Sequence, residues 1–75
     1  MQTTINILDV VAITEDIHEK GLQRGNVGTV VEILDNAYYE VEFVDESGKT
    51  YALLPLPASK LIVLRYHPPA LANAI

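Results

Sequence analysis

Apolar and polar residues alternate along most of this chain, and the alternation breaks where turn residues cluster. Residues 5–14, INILDVVAIT, are rich in β-branched side chains and predict a first strand beginning near Val10. Residues 15–26, EDIHEKGLQRGN, carry charges, two glycines and no sustained period. They read as a long loop with one helical turn over 16–20, and Leu22 is expected to tuck inward. Loops of about a dozen residues are long for a compact domain and often carry function. Residues 27–34 and 38–44 predict the second and third strands, 50–54 the fourth and 61–66 the fifth.

Side-chain parity fixes the expected registers. A two-residue turn at Asp35-Asn36 would put Glu40 and Glu42 in the core. A three-residue loop, Asp35-Asn36-Ala37, sets Ile33 opposite Tyr39, Val31 opposite Val41 and Thr29 opposite Phe43, and the glutamates face solvent. The next hairpin fits a three-residue loop, Glu46-Ser47-Gly48, with Gly48 in the left-handed position. Asp45 then faces Lys49, Phe43 faces Tyr51 and Val41 faces Leu53. Both hairpins share one apolar face, which predicts a three-stranded meander. Pro55 and Pro57 are expected to end the fourth strand, because proline cannot donate to a ladder. Residues 57–60, PASK, suit a single 3₁₀ turn.

Strand, long loop, meander, 3₁₀ turn, strand is the order of a small five-stranded SH3-like barrel, and barrel closure removes exposed sheet edges. An OB-fold usually places a helix between strands three and four, where only Glu46-Ser47-Gly48 stands. The barrel is assigned to residues 1–66. Residues 67–75, HPPALANAI, form a tail expected to be mobile or docked through Leu71 and Ile75.

At 75 residues the core must be thin, since a domain this small buries about 60% of the surface its unfolded chain exposes. There is no cysteine, which excludes disulfides, thiol nucleophiles and cysteine metal sites. The N-terminal residues lack a basic region followed by an apolar run, and no apolar run approaches the roughly 20 residues that span a bilayer. A cytoplasmic protein without membrane contact is the expectation. Ten acidic residues stand against five basic ones, a net charge of −5. Nucleic-acid binding is not expected from that balance, because phosphate contacts favour a basic surface.

Two resemblances rest on particular residues. Gly25, Gly28, Val30 and Ile33 resemble the glycine-glycine-valine-isoleucine spacing of the KOW motif of ribosomal and transcription-factor SH3-like domains. The run LDVVAITED…GLQRGNVGTVVEIL…YYEVEFVDESGKTYALLPL…KLIVL, from Leu8 to Leu64, resembles a family of small stand-alone bacterial proteins classified only as a domain of unknown function. That resemblance implies an SH3-like barrel and brings no established activity. Some members of such families sit beside toxin or immunity genes, which keeps a toxin-neutralising or immunity-type role as an alternative.

No catalytic residue, cofactor or metal site is assigned. Gly48-Lys49-Thr50 matches the end of a P-loop, but Phe43 stands where that loop needs glycine and the segment joins two strands. His18 lies among Glu15, Asp16 and Glu19 and reads as a solvated acidic loop, since metal sites need three or four ligands at set spacings. Ser47, Ser59 and His67 form no nucleophile–base pair in sequence. No small-molecule substrate is evident, and an enzyme is not expected. There is no tryptophan for a polyproline groove, and only Tyr38 and Tyr66 remain as surface aromatics.

The outward face of the meander is the remaining candidate. By these registers it carries Val30, Glu32, Leu34, Tyr38, Glu40, Glu42, Val44, Ala52 and Leu54, and the run Leu54, Pro55 and Leu56 extends it. One reading is a solvated face. The other is a docking surface, with Val30, Glu32, Leu34, Tyr38, Glu40, Glu42, Leu54 and Leu56 meeting a protein partner or a second copy in a homo-oligomer. A non-enzymatic interaction module is the leading expectation. A KOW-like nucleic-acid module using Lys20, Arg24 and Lys60 is the alternative from another class.

Overall fold

A computed structural model of the chain describes residues 4–35 and 37–65. Five strands, β1 (Val10–Ile13), β2 (Val27–Ile33), β3 (Tyr38–Val44), β4 (Thr50–Pro57) and β5 (Leu61–Val63), pair antiparallel in one sheet. Their order is β4-β3-β2-β1-β5. Two 3₁₀ turns, His18–Lys20 and Ala58–Lys60, lie in the connections, and no α-helix occurs among the described residues. The domain is all-β, with the strand order of an SH3-like barrel. Leu54 and Leu56 of β4 share one buried cluster with Leu61 of β5, although the two strands lie at opposite edges. The sheet therefore curls round its core. The tail assigned to 67–75, with Tyr66 and His67, lies outside the described residues.

Both hairpin loops have the expected length, but each is followed by a bulge. Ile33 pairs with Tyr39 and Glu32 with Glu40, as a three-residue loop requires. Beyond them the register shifts, so Val30, not Val31, lies opposite Val41, and Thr29 lies opposite Glu42. An extra residue in one strand reverses the facing of everything past it. Val30 is fully buried, while Val31 and Ile33 are exposed. The backbone gives the cause. The Val30 N–H donates to the Asp9 carbonyl at 2.9 Å and its carbonyl accepts from the Leu8 N–H at 2.7 Å. Those bonds tie β2 to the segment before β1, where Leu8 has a φ of 75°.

The second hairpin keeps Val44 opposite Thr50, then shifts so that Phe43 faces Ala52 and Val41 faces Leu54. Tyr51 takes the bulge and keeps contact with Phe43, its ring centroid 6.3 Å away. The core face of β4 is therefore Ala52, Leu54 and Leu56, and Leu53 points outward, 53% exposed. Gly48 has a φ of 86°, the left-handed conformation its loop requires.

β4 does not stop at Leu54 but runs through Pro55 and ends on Pro57. Ala58 donates to the Ala37 carbonyl in step with the β3–β4 register, which leaves Pro55 and Pro57 at positions whose nitrogens face away from β3. At a sheet edge no partner needs those donors, so the strand continues past the first proline to the second.

The long loop is folded onto itself. Ile17 and Leu22 exchange backbone hydrogen bonds of 2.9 and 3.1 Å around the first 3₁₀ turn, and the Arg24 N–H donates to Asp16 Oδ1 at 2.7 Å. Leu22 is driven into the core as expected. Truncating such a side chain costs about 2–5 kcal/mol, so the loop belongs to the folding unit.

Gly28 is buried in β2 and needs to be glycine for space. A Cβ there would stand 2.7 Å from Val41 Cγ1, 2.9 Å from the Glu42 carbonyl oxygen and 3.0 Å from Phe43 Cδ2. Gly28→Ala is expected to lower unfolding free energy by about 1–3 kcal/mol in urea denaturation. Unchanged stability would show that the β2–β3 contact is loose. Ala37 closes the first hairpin with a φ of 62°. Ala37→Gly is expected to raise stability by about 0.5–1 kcal/mol, since the left-handed region penalises a Cβ. A lower denaturation midpoint would refute that geometry.

Candidate functional site

The pleat sends alternate β3 side chains to opposite sides, with Tyr39, Val41 and Phe43 inward and Tyr38, Glu40, Glu42 and Val44 outward. The registers then build the outer surface row by row. Glu40 stands between Glu32 of β2 and Pro55 of β4, and Glu42 stands between Thr29 and Leu53. The Thr50 hydroxyl donates to Glu42 Oε2. Glu32, Glu40 and Glu42 thus form one carboxylate group, flanked by the exposed apolar side chains of Tyr38, Val44 and Leu53.

Among the described residues, no cation forms an ion pair with this group. The ion pairs among the described residues are elsewhere: Lys60 Nζ lies 3.2 Å from Glu15 Oε2, and His18 Nε2 lies 3.9 Å from Asp16 Oδ2. Like charges directly opposite one another on a sheet repel, and solvent screening reduces the cost without changing its sign.

The structure keeps half of the expected docking set on this face. Glu32, Tyr38, Glu40 and Glu42 come together as anticipated. Val30, Leu54 and Leu56 do not belong to it, being 0%, 8% and 4% exposed in the core. The two bulges explain the exchange, because each moves its strand's apolar residues to the other side. Ala52 packs against the core for the same reason. Leu34 is half-buried at the hairpin end, where its N–H donates to the Tyr38 carbonyl at 2.8 Å. Pro55 is exposed beside this face as expected, Leu53 takes the place of the missing apolar positions, and simple alternation could not have found Leu53.

Other candidates are dispersed. His18 is exposed beside Asp16, and among the described residues no group of three or more His, Asp or Glu side chains is placed to hold a metal. Gly48-Lys49-Thr50 forms the end of a hairpin turn. Of the cations proposed for nucleic acid, Lys60 is paired with Glu15, and Arg24 lies across the Asp16 carboxylate through its backbone. No helix among the described residues is long and apolar enough to cross a membrane.

Asp45 anchors the hairpin beside the acidic face. Asp45 Oδ1 accepts from the Ser47 hydroxyl at 2.7 Å, the Ser47 N–H at 2.9 Å and the Lys49 N–H at 3.0 Å. The bond from the Ser47 hydroxyl, followed by that from the Lys49 N–H, holds its carboxyl below the ordinary value of 3.8. A lowered folded-state value means that the carboxylate adds stability above the unfolded pKa. That stability is lost as the pH falls through the folded one. The stability gap between wild type and Asp45→Asn should therefore be flat near neutral pH and shrink below about pH 4. Urea titrations across that range check it, and a gap independent of pH would sink the assignment.

A family model described as a domain of unknown function, DUF4926, matches residues 7–63. The match takes in all five strands and both hairpins, well over half of the chain. No curated protein and no solved structure matches the chain. The resemblance traced through Leu8 to Leu64 is borne out as membership of a family of unknown function. The chain belongs to the DUF4926 family.

Proposed function

We propose that this domain is a non-enzymatic protein-interaction module whose outer β2–β3–β4 face docks a basic protein surface. The observation that carries the reading is the group Glu32, Glu40 and Glu42, facing outward with no ion-pair partner among the described residues and bordered by Tyr38, Leu53 and Pro55. Folding does not need this arrangement. A threonine at either position of the Glu32–Glu40 pair would suit an exposed strand better and remove repulsion. An acidic surface with apolar neighbours steers basic partners and then offers them desolvated contact. A second copy fits this face poorly, because it would bring the same carboxylates against themselves.

A stability measurement and a binding measurement together test the reading. Glu40→Thr should raise unfolding free energy by a few tenths of a kcal/mol, since a like-charge neighbour is lost. The combined Glu32→Lys, Glu40→Lys, Glu42→Lys variant should stay folded by circular dichroism. It should lose, by about tenfold or more, the proteins that the wild type retains in a cross-linked pull-down. Retention by the wild type should also weaken in high salt. If the charge-reversed variant retrieves the same proteins equally well, the acidic face is not the docking surface.

A further inference from the structure

The two edges of the sheet are treated differently. On β4 the hydrogen-free nitrogens of Pro55 and Pro57 face outward, which blocks the addition of another strand. On β5 nothing of the kind is present. Thr14 donates to the Lys60 carbonyl and Leu64 donates to the Val10 carbonyl, both in step with the Ala12–Ile62 pair. Alternation in an antiparallel ladder therefore turns the backbone groups of Leu61 and Val63 away from β1, to the free edge. The Leu61 N–H is used by the Ala58 carbonyl. The Leu61 carbonyl and both groups of Val63 point outward, and no described strand pairs with that edge.

A groove of about 550 Å³ opens along the same edge, lined by Ile5, Tyr39, Leu61, Ile62, Val63 and Arg65 among others. Its walls are mostly apolar. Among the described residues that line it, Arg65 is the one cationic side chain, in a chain of net charge −5.

We infer that the β5 edge and its groove form a second docking site, separate from the acidic face, which takes an extended acidic–apolar segment of another protein as an added strand. Backbone pairing to Leu61 and Val63 supplies register, alternate apolar side chains enter the groove, and a carboxylate meets Arg65. Two other occupants match less well. Residues 66–75, YHPPALANAI, contain no acidic side chain for Arg65, and their two prolines lack donors for a ladder. A second copy paired edge to edge about Val63 would set Arg65 opposite Leu61, leaving the cation without a carboxylate.

The test uses the full chain, immobilised against a displayed library of random twelve-residue peptides, and one enriched peptide then followed by NMR. Enriched sequences should alternate apolar residues and carry an acidic one. The chosen peptide should shift the amides of Val63, Arg65 and Tyr39. Its Kd should rise at least tenfold in Arg65→Glu, and likewise in Val63→Pro, which removes an outward N–H that β1 does not use. Should Val63→Pro fail to fold, an N-methylated form of the peptide and Arg65→Glu carry the same comparison. The inference falls if selection yields no consensus, or yields basic peptides that shift Glu32, Glu40 and Glu42; the second outcome would leave the acidic-face reading standing. It also falls if the Val63 amide is already strongly protected from exchange in the free chain, as its own tail would cause. Shifts along β5 that follow protein concentration without peptide, as a second copy would cause, overturn it as well.

Discussion

The packing of Phe43 into the space that Gly28 leaves open is the constraint on which the fold depends. Phe43 is the chain's one phenylalanine and, among the described residues, the largest fully buried side chain. It can approach β2 closely because no Cβ stands there, and Val41 closes the same gap from the next inward position. A thin core cannot absorb a misplaced large side chain by repacking elsewhere. The β2–β3 register is therefore set by this contact as much as by the hairpin loop. The bulge at Val31 follows from it: the loop places Ile33 on Tyr39, the core places Val30 on Val41, and one extra residue reconciles them.

This is also where sequence reasoning stopped being sufficient. The starts of the strands, the order of elements, the inward turn of Leu22 and the conformation of Gly48 were legible, because turn chemistry and β-branched runs report on local geometry. Parity within β3 was legible too, since Tyr39, Val41 and Phe43 alternate with two glutamates. Parity within β2 was not. Its adjacent Val30 and Val31 satisfy either face, and a bulge leaves no residue type as its mark. The second bulge at Tyr51 was hidden likewise, because Tyr51 or Ala52 could each sit opposite Phe43. Gly28 held the missing clue. It falls inside the strand expected over residues 27–34, and a glycine inside a strand marks a close approach of neighbouring structure.

The candidate site inherited these errors selectively. Charged positions survived, because a carboxylate has one tolerable side of a sheet. Glu32, Glu40 and Glu42 were therefore placed correctly while Val30, Leu54 and Leu56 were not. The β5 edge was not anticipated at all. Its outward backbone groups come from a hydrogen-bond alternation that runs through Thr14, Ala12 and Val10, and no side chain advertises it. The prolines of β4 did advertise the other edge, although as a strand terminus instead of a strand defended along its length.

The acidic face and the β5 groove make opposite demands, and the fold keeps them on different strands. A domain of this size has about 4–11 kcal/mol of total stability, so the Glu32–Glu40 repulsion, a few tenths of a kcal/mol after screening, is tolerable without being useful to folding. Were an arginine placed among those glutamates, the repulsion would fall and the proposed attraction for a basic surface would fall with it. Were Arg65 replaced by an acid, the groove would join the rest of a chain of net charge −5 in repelling carboxylates. The sheet curls far enough that β4 and β5 share a core yet present separate outer surfaces. On the two proposed readings, partners of opposite charge would bind this domain without competing, one on the β2–β3–β4 face and one at the β5 edge that no described strand covers.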